Sequence, residues 1–505
     1  MRPHPHLYEA NALILLGRLS KKYGCPLTLA SIPEEEWQRL RQLGFDLLWL
    51  MGVWEHSPGS RRIALNHPGL RSDYDRALPD WTYDDVVGSP YAVHSYKIDP
   101  RLGEDGDLFN LKSTLNRHGV GLVLDFVPNH LALDHPWTLS HPERFVQASV
   151  LALRDHPDWF FLTEGGIHLP HGRDPYFPPW TDTVQVDFYS HGLRAAWVDA
   201  LLSIAEVADG VRCDMAMLGL NTVFEQVWGE VVGGHSRPES EFWSGAIQEV
   251  KRKRPDFIFI AEVYWGLEQT LLDLGFDYTY DKVLYDRLRH SSLTELREHL
   301  GRSIVPPARL VRFIENHDEA RAAAAFGREQ SMAAATVVAT LPGLRLFHDG
   351  QLEGKLVRLP VQLGREPDEV PDVEISTFYH RLLTISNSTA YHRLLTISNS
   401  TAFHEGTWSL LKADPAWEGN PSYQNLLSWT WNYEKKQKIV AVNFAPNASQ
   451  GRLRLPAPGV PVTIVRLHDE LHDTEYIGDL AELQGPGLYV ELGPWQAHIF
   501  DVIAD

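Results

Sequence analysis

The sequence has only two cysteines, Cys25 and Cys213, among 505 residues. Two cysteines provide neither a disulfide framework nor a cysteine-based zinc cluster. No run of about 18 apolar residues occurs, so no membrane-spanning helix is expected. The first residues lack the long apolar region and small-residue cleavage site of a secretory signal. We therefore expect a soluble cytoplasmic protein.

Basic residues are scarce relative to acidic ones. The chain has 46 Lys and Arg against 66 Asp and Glu, which gives a formal net charge of −20. Such a balance argues against a nucleic-acid-binding surface, and neither a nucleic-acid nor a membrane partner is expected. Aromatic residues are plentiful, with 16 Trp, 18 Tyr and 20 Phe. Packing accounts for most of them, and stacking on sugar rings is a further use.

Short apolar runs alternate with amphipathic helical patterns over residues 44–395. Six runs are typical of buried strands: FDLLWLMG (45–52), GVGLVLDFVPNH (119–130), GVRCDM (210–215), FIFIAEVY (257–264), LVRFIENHD (310–318) and LRLFHDG (344–350). Two weaker candidates, SYKIDP (95–100) and FDYTYD (276–281), bring the count to eight. Such alternation indicates parallel strands with crossover helices. Eight of them predict an α/β fold, the (β/α)8 TIM barrel.

Two regions depart from this alternation. Residues 131–188 are too long for an ordinary connection, and we expect an inserted subdomain there, after the third barrel strand. From 403 to 505, short strands separated by turn residues predict a C-terminal antiparallel β-sandwich. The catalytic barrel is then assigned to 1–130 and 189–402.

A twelve-residue segment, YHRLLTISNSTA, occurs twice in succession, at 379–390 and 391–402. Twelve residues advance a helix by about 120° beyond whole turns, so the two copies cannot present the same side chains to one groove. We expect one copy to form the last barrel helix and the other to be extruded or frayed. The duplication is expected to be functionally neutral, because it falls at the barrel's N-terminal face.

Polar residues follow the predicted strands, where barrel enzymes place their catalytic groups. They are Asp125, Asn129, His130, Arg212, Asp214, Glu262, His317 and Asp318. An isolated carboxylate at a strand end is usually a helix cap or half of a salt bridge. Four of them at four strand ends, interleaved with Arg and His, indicate a functional site. Two carboxylates about 5–5.5 Å apart perform retaining glycoside hydrolysis.

The spacing of these residues suggests their roles. Arg212 lies two residues before Asp214, on the same side of an extended strand, where it can keep a nucleophilic Asp214 ionised. Glu262 follows the apolar run FIFIA, and desolvation there favours the protonated acid. Asp318 and His317 are placed to grip sugar hydroxyls.

Four of these segments resemble the conserved regions of the α-amylase family, glycoside hydrolase family 13. They are DFVPNH (125–130), GVRCDMAML (210–218), AEVY (261–264) and ENHD (315–318), and VQVDF (184–188) resembles a further short motif. The resemblance implies a retaining enzyme that acts on α-glucosidic bonds of α-linked oligosaccharides. It implies Asp214 as nucleophile, Glu262 as acid/base and Asp318 as transition-state stabiliser.

The resemblance also implies a sugar-binding set around the cleaved bond. Asp125 would support Arg212, while His130, Arg212 and His317 would bind the sugar. Tyr91, in GSPYAVHSY, is either the stacking aromatic of that subsite or a packing residue.

Met217 and Leu218 depart from the family pattern, since many α-amylases have Lys-His there, in contact with the acceptor-side sugar. An apolar acceptor side is compatible with short oligosaccharides, a disaccharide or an unusual acceptor. The alternative is that acceptor contacts come from the inserted segment, through Arg173, Asp174, Tyr176 or Trp180.

No cofactor is expected to be required, but calcium is an open candidate. Asn129 and Asp187 match positions that bind calcium in some family members, although calcium needs several more oxygen ligands. The loop LEGKLVRLPVQLGR (352–365) brings Lys355, Arg358 and Arg365 together. A solvated basic loop is the simpler interpretation, but the cluster keeps a phosphorylase or maltosyl-type glycosyltransferase open. A non-catalytic sugar-binding protein is the remote alternative.

Overall fold

Eight parallel strands close into a barrel in the computed structural model, which describes residues 1–231, 234–290, 293–302, 304–383, 400–434, 436–455 and 464–504. In chain order the barrel strands are His6–Asn11, Leu47–Met51, Gly121–Phe126, Gly210–Cys213, Ile258–Ala261, Tyr278–Tyr280, Leu310–Arg312 and Leu344–His348. The first strand pairs with the eighth, with His6 opposite Arg345, and thereby closes the barrel. The predicted TIM barrel is confirmed.

One predicted barrel strand is wrong and one was missed. The strand Val93–Ile98, which overlaps the predicted strand SYKIDP (95–100), pairs antiparallel with Trp54–His56 outside the barrel. The first barrel strand is instead His6–Asn11. Its sequence, HLYEAN, carries His6 and Glu9, which interrupt the apolar run expected of a buried parallel strand. Both side chains are nevertheless buried, at 0% and 1% exposure.

Helices occupy the connections between barrel strands and follow the last one. They are Ala12–Tyr23, Glu34–Gln42, Pro58–Asn66, Pro68–Ala77, Asp107–Arg117, His191–Val207, Asn221–Trp228, Phe242–Lys253, Glu268–Asp273, Lys282–His290, Leu293–Arg302, Ala322–Phe326, Arg328–Thr340, Val373–Leu383 and Thr401–Glu405. The first begins at an Asn11 cap, whose side-chain oxygen accepts from two backbone amides, and it ends at Gly24 with φ +68°. Within the described ranges, no helix is both long and apolar enough to cross a membrane.

The region after the third barrel strand is built from short elements. His130–Ala132 pairs antiparallel with Thr183–Gln185, and Phe160–Leu162 pairs with His168–Pro170. Two short helices, Trp137–Ser140 and Val150–Asp155, lie in the same region. The first ladder joins the two ends of the insertion, so the chain returns to the barrel close to where it left.

The C-terminal part consists of two antiparallel sheets, as predicted. The six-stranded sheet has the order Thr407–Leu410, Leu426–Tyr433, Lys436–Asn443, Ala497–Ala504, Ile464–Asp469, Thr474–Asp479, and the three-stranded sheet has the order Ala413–Pro415, Ser449–Leu453, Leu488–Leu492. A one-turn helix, Leu480–Glu482, precedes the last strand of the smaller sheet. Apolar side chains of both sheets, such as Ile439 and Val490, share one buried cluster. The domain limits given above stay predictions.

Most of the duplicated segment, residues 384–399, lies outside the described residues. The first copy begins within the helix Val373–Leu383, and the second ends within the helix Thr401–Glu405. The prediction that one copy forms the last barrel helix and that the other is extruded or frayed therefore falls on residues that the structure does not describe.

Trp431 joins the C-terminal sheet to the barrel. Its indole is fully buried, and Nε1 donates to the carbonyl oxygen of Thr340 at 2.8 Å. Thr340 is the last residue of a barrel helix, where carbonyl groups lack intrahelical partners. The ring also packs edge-on against His4 and Phe403, with centroids 5.3 and 6.0 Å away.

Replacing Trp431 with Ala is expected to lower the free energy of unfolding by about 3–5 kcal/mol, because it leaves a cavity and an unpaired carbonyl group. Urea denaturation followed by circular dichroism measures this loss. The matched control is Trp417→Ala in the same region, where 54% of the residue is exposed. The control is expected to change stability by less than about 0.5 kcal/mol. Equal effects of the two substitutions would contradict the assigned role of Trp431.

Candidate active site

The guanidinium of Arg212 lies at the carboxyl ends of the barrel strands, with 1% of its side chain exposed. Nη1 donates to Oδ1 of Asp214 at 2.7 Å, and Nη2 donates to Oε2 of Glu262 at 2.6 Å. Oδ1 of Asp125 lies 3.4 Å from Nη1. Carboxylates from the third, fourth and fifth strands therefore meet at one cation.

Parallel register explains why these side chains converge. Arg212 lies opposite Asp125 on one side and opposite Ile260 on the other. The ladder continues past the strand ends, because the Glu262 amide donates to the Cys213 carbonyl at 3.1 Å. Alternate residues point to the same face of a strand, so Arg212 and Asp214 both face the barrel interior.

The shared guanidinium also limits how far apart Asp214 and Glu262 lie. Both carboxylates contact neighbouring nitrogens of one planar group. The separation of about 5–5.5 Å that retaining glycosidases use is compatible with this arrangement.

Burial and an excess of negative charge raise the pKa values of these carboxyls. For Glu262, burial is the largest cause; Arg212 opposes it, Asp214 adds to it, and the resulting pKa is about 7. Burial likewise raises the pKa of Asp125 to about 7 and raises the pKa of Asp214. Because one guanidinium cannot balance three buried carboxylates, the cluster retains protons close to neutral pH.

Two further groups hold Glu262 in place. The Tyr264 hydroxyl donates to Oε1 at 2.7 Å, and the Met215 amide donates to Oε2 at 2.8 Å. Met215 has φ +42°, in the left-handed region. A non-glycine residue seldom adopts that conformation, and here it turns the amide toward the carboxylate.

His317 provides a second cation beside Asp318. Its Nδ1 lies 2.5 Å from Oε1 of Glu9, and its Nε2 lies 3.0 Å from Oδ2 of Asp318. Burial lowers the pKa of His317, but Asp318 and Glu9 outweigh it and hold that pKa well above its ordinary value. Desolvation would raise the pKa of Asp318, yet His317 holds it well below its usual range. Asp318 is therefore ionised, and 47% of its side chain is exposed to solvent.

Tyr91 lies between the two cations. Its hydroxyl is 2.8 Å from Nε2 of His317, and its ring stacks on that imidazole with centroids 5.3 Å apart. The Arg212 guanidinium lies 5.4 Å from the centre of the same ring. The structure thus places Tyr91 in the site, which was one of the two alternatives for this residue.

His130 lies beneath the inserted segment. Its ring centroid is 5.0 Å from that of Trp180, and only 4% of the residue is exposed. Burial lowers the pKa of His130 to about 4. The imidazole is therefore neutral at pH 7 and can exchange hydrogen bonds with a hydroxyl group.

Comparisons with known proteins agree with this geometry. A model of the α-amylase catalytic domain matches residues 35–192. The chain is 29% identical over 278 residues to an α-1,4-glucan:maltose-1-phosphate maltosyltransferase of Pseudomonas aeruginosa, covering 54% of this chain and 35% of that protein. It is 26% identical over 299 residues to the α-amylase MalA of Haloarcula japonica, covering 56% and 39%.

Solved structures show the same fold over nearly the whole chain. The noncanonic maltogenic α-amylase AmyB from Thermotoga neapolitana superposes with a TM-score of 0.68 at 20% identity, over 99% of each chain. The acarbose complex of the α-amylase from Geobacillus thermoleovorans gives 0.66 at 18% identity, also over 99% of each. This chain is similar in fold to α-amylases, and residues 35–192 match the α-amylase catalytic domain. It spans only about a third of the length of the curated relatives it matches.

Asn129 and Asp187, which match calcium-binding positions of some α-amylase-family members, have other partners in this structure, and calcium binding stays a prediction. The amide groups of Asn129 and Gln185 exchange two hydrogen bonds, at 3.0 and 3.2 Å. Oδ2 of Asp187 lies 2.6 Å from Nδ1 of His235, and Oδ1 accepts from the Tyr189 amide. Calcium takes six to eight oxygen ligands, whereas these oxygens already have nitrogen donors.

Met217 and Leu218, which replace the Lys-His of many α-amylases, do not form an apolar acceptor side. They lie in the short turn Ala216–Gly219 and are 0% and 2% exposed. The interpretation that they line the acceptor side is therefore wrong. Their side chains are part of the hydrophobic core, which the sequence could not reveal.

The inserted segment supplies one exposed candidate for acceptor binding. Arg173 packs on Trp159 and Asp174 accepts from two nearby amides, so both have local roles. Tyr176, in contrast, is 64% exposed and packs edge-on against Trp265, with centroids 5.1 Å apart. Trp265 follows Glu262 by three residues, is 40% exposed and has φ +66°.

Glu9 and Trp49 are residues of this α-amylase-type site that the sequence analysis missed. Glu9 contacts His317, and the Trp49 indole donates to Oδ2 of Asp125 at 3.1 Å. An ionisable residue inside HLYEAN, two residues before the helix-capping Asn11, was the available signal for Glu9. Trp49 carried no such signal, because a Trp in a buried strand is usually a packing residue of the hydrophobic core.

The basic loop does not form a cluster of three free cations. Lys355 pairs with Glu366 at 2.5 Å, and Arg365 pairs with Asp85 at 2.7 Å. Arg358 is exposed, and it lines a small cleft together with His317. Its charge helps to lower the pKa of Asp318. Arg358 is thus the residue of the predicted basic cluster that faces the site.

Replacing Arg212 with Met is expected to destabilise the fold by about 3–5 kcal/mol at pH 8, because three buried carboxylates lose their cation. At pH 5.5 the loss should be smaller. Without Arg212 the pKa values of the carboxyls rise further, so the carboxyls are protonated and cost little to bury.

The measurement is the urea midpoint of both proteins at the two pH values. The matched control is Arg62→Met, an exposed arginine of the helix Pro58–Asn66, which should show no such pH dependence. An equal loss for Arg212→Met at both pH values would contradict the charge-balance account.

Proposed function

We propose that this protein is a retaining enzyme that cleaves or transfers α-glucosidic bonds of short α-glucans through a covalent glycosyl–Asp214 intermediate. The observation that carries the proposal is the contact of one buried guanidinium with both Asp214 and Glu262. Names of relatives, maltosyltransferase and α-amylase, agree with this chemistry. A cytoplasmic location and an α-linked oligosaccharide substrate belong to the same proposal.

In the first step, a carboxylate oxygen of Asp214 attacks the anomeric carbon of the bound sugar. The bond to the glycosidic oxygen breaks, and the proton of Glu262 passes to that leaving oxygen. A pKa of about 7 leaves Glu262 protonated in a useful fraction of molecules at neutral pH. Arg212 lowers the pKa of Asp214 against the effect of burial and so favours the ionised form that attack requires.

In the second step, Glu262 acts as a base. It takes a proton from water or from a sugar hydroxyl, whose oxygen attacks the anomeric carbon and releases Asp214. Water gives hydrolysis and a sugar gives transfer, so the same residues serve both reactions. Residues outside the carboxylate pair therefore determine whether water or a sugar is the acceptor.

Asp318 and His317 are assigned to the distorted sugar ring. The ionised Asp318 faces the cleft, where its charge can stabilise the positive charge of an oxocarbenium-like transition state. His317 is held by Glu9 and presents its other ring nitrogen toward Asp318 and the sugar. Tyr91 offers a ring face beside them.

The exposed pair of Tyr176 and Trp265 is assigned to the acceptor side. Trp265 lies three residues after Glu262, beyond the end of the strand Ile258–Ala261, and Tyr176 lies in the inserted segment. Aromatic faces bind sugar rings by burying their apolar C–H surfaces. This assignment replaces the acceptor contacts that Lys-His makes in many family members.

The test is a product time course with maltooligosaccharides, maltose and sucrose, each with and without phosphate. Free sugar regardless of phosphate is expected, with longer products if transfer competes. NMR of the first product should show the α anomer, because two displacements retain configuration. A first product in the β configuration would overturn the retaining assignment.

Asp214→Asn and Glu262→Gln are each expected to lower kcat by at least about 10³-fold with the fold intact, since each removes a reacting group. The matched control is Asp209→Asn, at the opposite end of the fourth strand, which should retain activity. Unchanged turnover in either site variant would refute the residue assignment, whereas loss of activity with the fold intact would exclude the non-catalytic alternative.

A second candidate function is glycosyl transfer to or from phosphate. Several relatives are named α-1,4-glucan:maltose-1-phosphate maltosyltransferases. Arg358 provides the specific observation, because its guanidinium is exposed beside Asp318 while Lys355 and Arg365 pair with acids. A guanidinium binds phosphate through charged hydrogen bonds.

If this second function holds, Arg358→Gln should lower the ratio of phosphate-dependent to hydrolytic turnover by about 10–100-fold, the value of one or two charged hydrogen bonds. Maltose 1-phosphate with a maltooligosaccharide acceptor is the assay. Arg365→Gln is the matched control, because Asp85 already binds its guanidinium. Equal ratios in the wild type and Arg358→Gln would exclude this function for Arg358.

A further inference from the structure

Two histidines and one aspartate converge in the C-terminal sheet, far in sequence from the carboxylate site. Asp469 ends the strand Ile464–Asp469, and His498 lies in the neighbouring strand Ala497–Ala504. His472 lies in the turn that follows Asp469. Strand pairing and a tight turn thus bring the three side chains together.

The cluster has the donor atoms and spacing of a metal site. Oδ2 of Asp469 lies 2.6 Å from Nδ1 of His472 and 2.6 Å from Nδ1 of His498. One donor atom from each residue lies within 4.8 Å of the others. Among the described residues, this is the group of His, Cys, Asp and Glu side chains that meets this spacing.

Surrounding groups fix two of the three ligands. The backbone amides of Leu471 and Ile499 both donate to Oδ1 of Asp469 at 3.2 Å, which leaves Oδ2 directed at the imidazoles. The His498 ring stacks on Phe500, with centroids 5.0 Å apart. Such supporting contacts orient ligands before a metal binds.

The third ligand gives access from solvent. The side chain of Asp469 is fully buried, whereas 47% of the His472 side chain is exposed. In a zinc site, nitrogen and oxygen ligands lie about 2.0–2.2 Å from the ion and hence roughly 3.3 Å from one another in tetrahedral geometry. The two contacts between Asp469 and the imidazoles would have to lengthen from 2.6 Å by roughly 0.7 Å, which rotation of the exposed His472 helps to accommodate.

We infer that Asp469, His472 and His498 bind a divalent transition metal of the zinc type, with water completing the coordination. Two imidazoles and one carboxylate suit Zn²⁺, Ni²⁺ or Cu²⁺ rather than Ca²⁺ or Mg²⁺, which prefer oxygen ligands alone. The metal takes the place of the two protons that the imidazoles now donate to Asp469.

Binding there would also affect the junction with the barrel. Arg381, in the helix Val373–Leu383, donates to the Leu471 carbonyl beside His472. A metal that fixes the turn at His472 would hold this contact in place. The site therefore has a structural role and does not depend on the proposed glycosidase function.

The experiment is titration of the chelator-treated full-length protein with Zn²⁺ alone, by isothermal calorimetry. One equivalent is expected to bind with micromolar or tighter affinity and to raise the melting temperature. His472→Ala and His498→Gln should each weaken this binding at least 10-fold. Calcium and magnesium at the same concentration should not compete.

The matched control is His468→Ala. His468 lies on the same strand as Asp469, but its imidazole pairs with Asp473, 3.0 Å away. This variant should bind Zn²⁺ like the wild type. Equal binding by the wild type and His472→Ala would overturn the inference, and so would no binding by the wild type. The cluster would then be a buried carboxylate held by two imidazole hydrogen bonds.

Should a histidine variant lose folding, Co²⁺ bound to the wild type provides the second measurement. Its visible absorption is sensitive to ligand type and geometry. A spectrum typical of four- or five-coordinate cobalt with nitrogen ligands would support metal binding by these residues. The spectrum of hydrated cobalt would contradict it.

Discussion

The site depends on the buried positive charge of Arg212. Burying a guanidinium is costly unless it is fully paired, and here its partners are Asp125, Asp214 and Glu262. Three carboxylates exceed what one cation can balance, so protons stay on the cluster close to neutral pH. Burial, opposed by Arg212 and reinforced by Asp214, gives Glu262 a pKa of about 7 and makes it suitable as an acid.

Closure of the barrel supplies the second cation. Glu9 comes from the first strand and His317 from beyond the seventh, and they meet because the first strand pairs with the eighth. Asp318 and Glu9 together keep His317 charged, and His317 in turn keeps Asp318 ionised. The site thus combines a residue of the first barrel strand with residues that follow the seventh. Opening the barrel between its first and eighth strands would remove one cation and leave Asp318 without its partner.

The chemistry at the carboxylate pair is common to hydrolysis and transfer, so the connecting segments decide between them. Met217 and Leu218 turn inward, and Tyr176 and Trp265 are the exposed pair that the proposed function assigns to the acceptor side. Arg358 is an exposed cation that lines a small cleft with His317. Neither surface belongs to the strands, whose packing is constrained, and both lie on loops, where sequence can change without disturbing the barrel.

The sequence by itself determined the barrel class, the antiparallel C-terminal part and the set of strand-end residues, since strand periodicity and short motifs are local. The sequence pattern wrongly predicted SYKIDP as a barrel strand. It also missed the first strand, because His6 and Glu9 interrupt the apolar pattern there. It could not show that Met217 is buried or that Arg365 pairs with Asp85, 280 residues away. Only the tertiary structure decided those points, because exposure and charge pairing depend on which distant segments pack together.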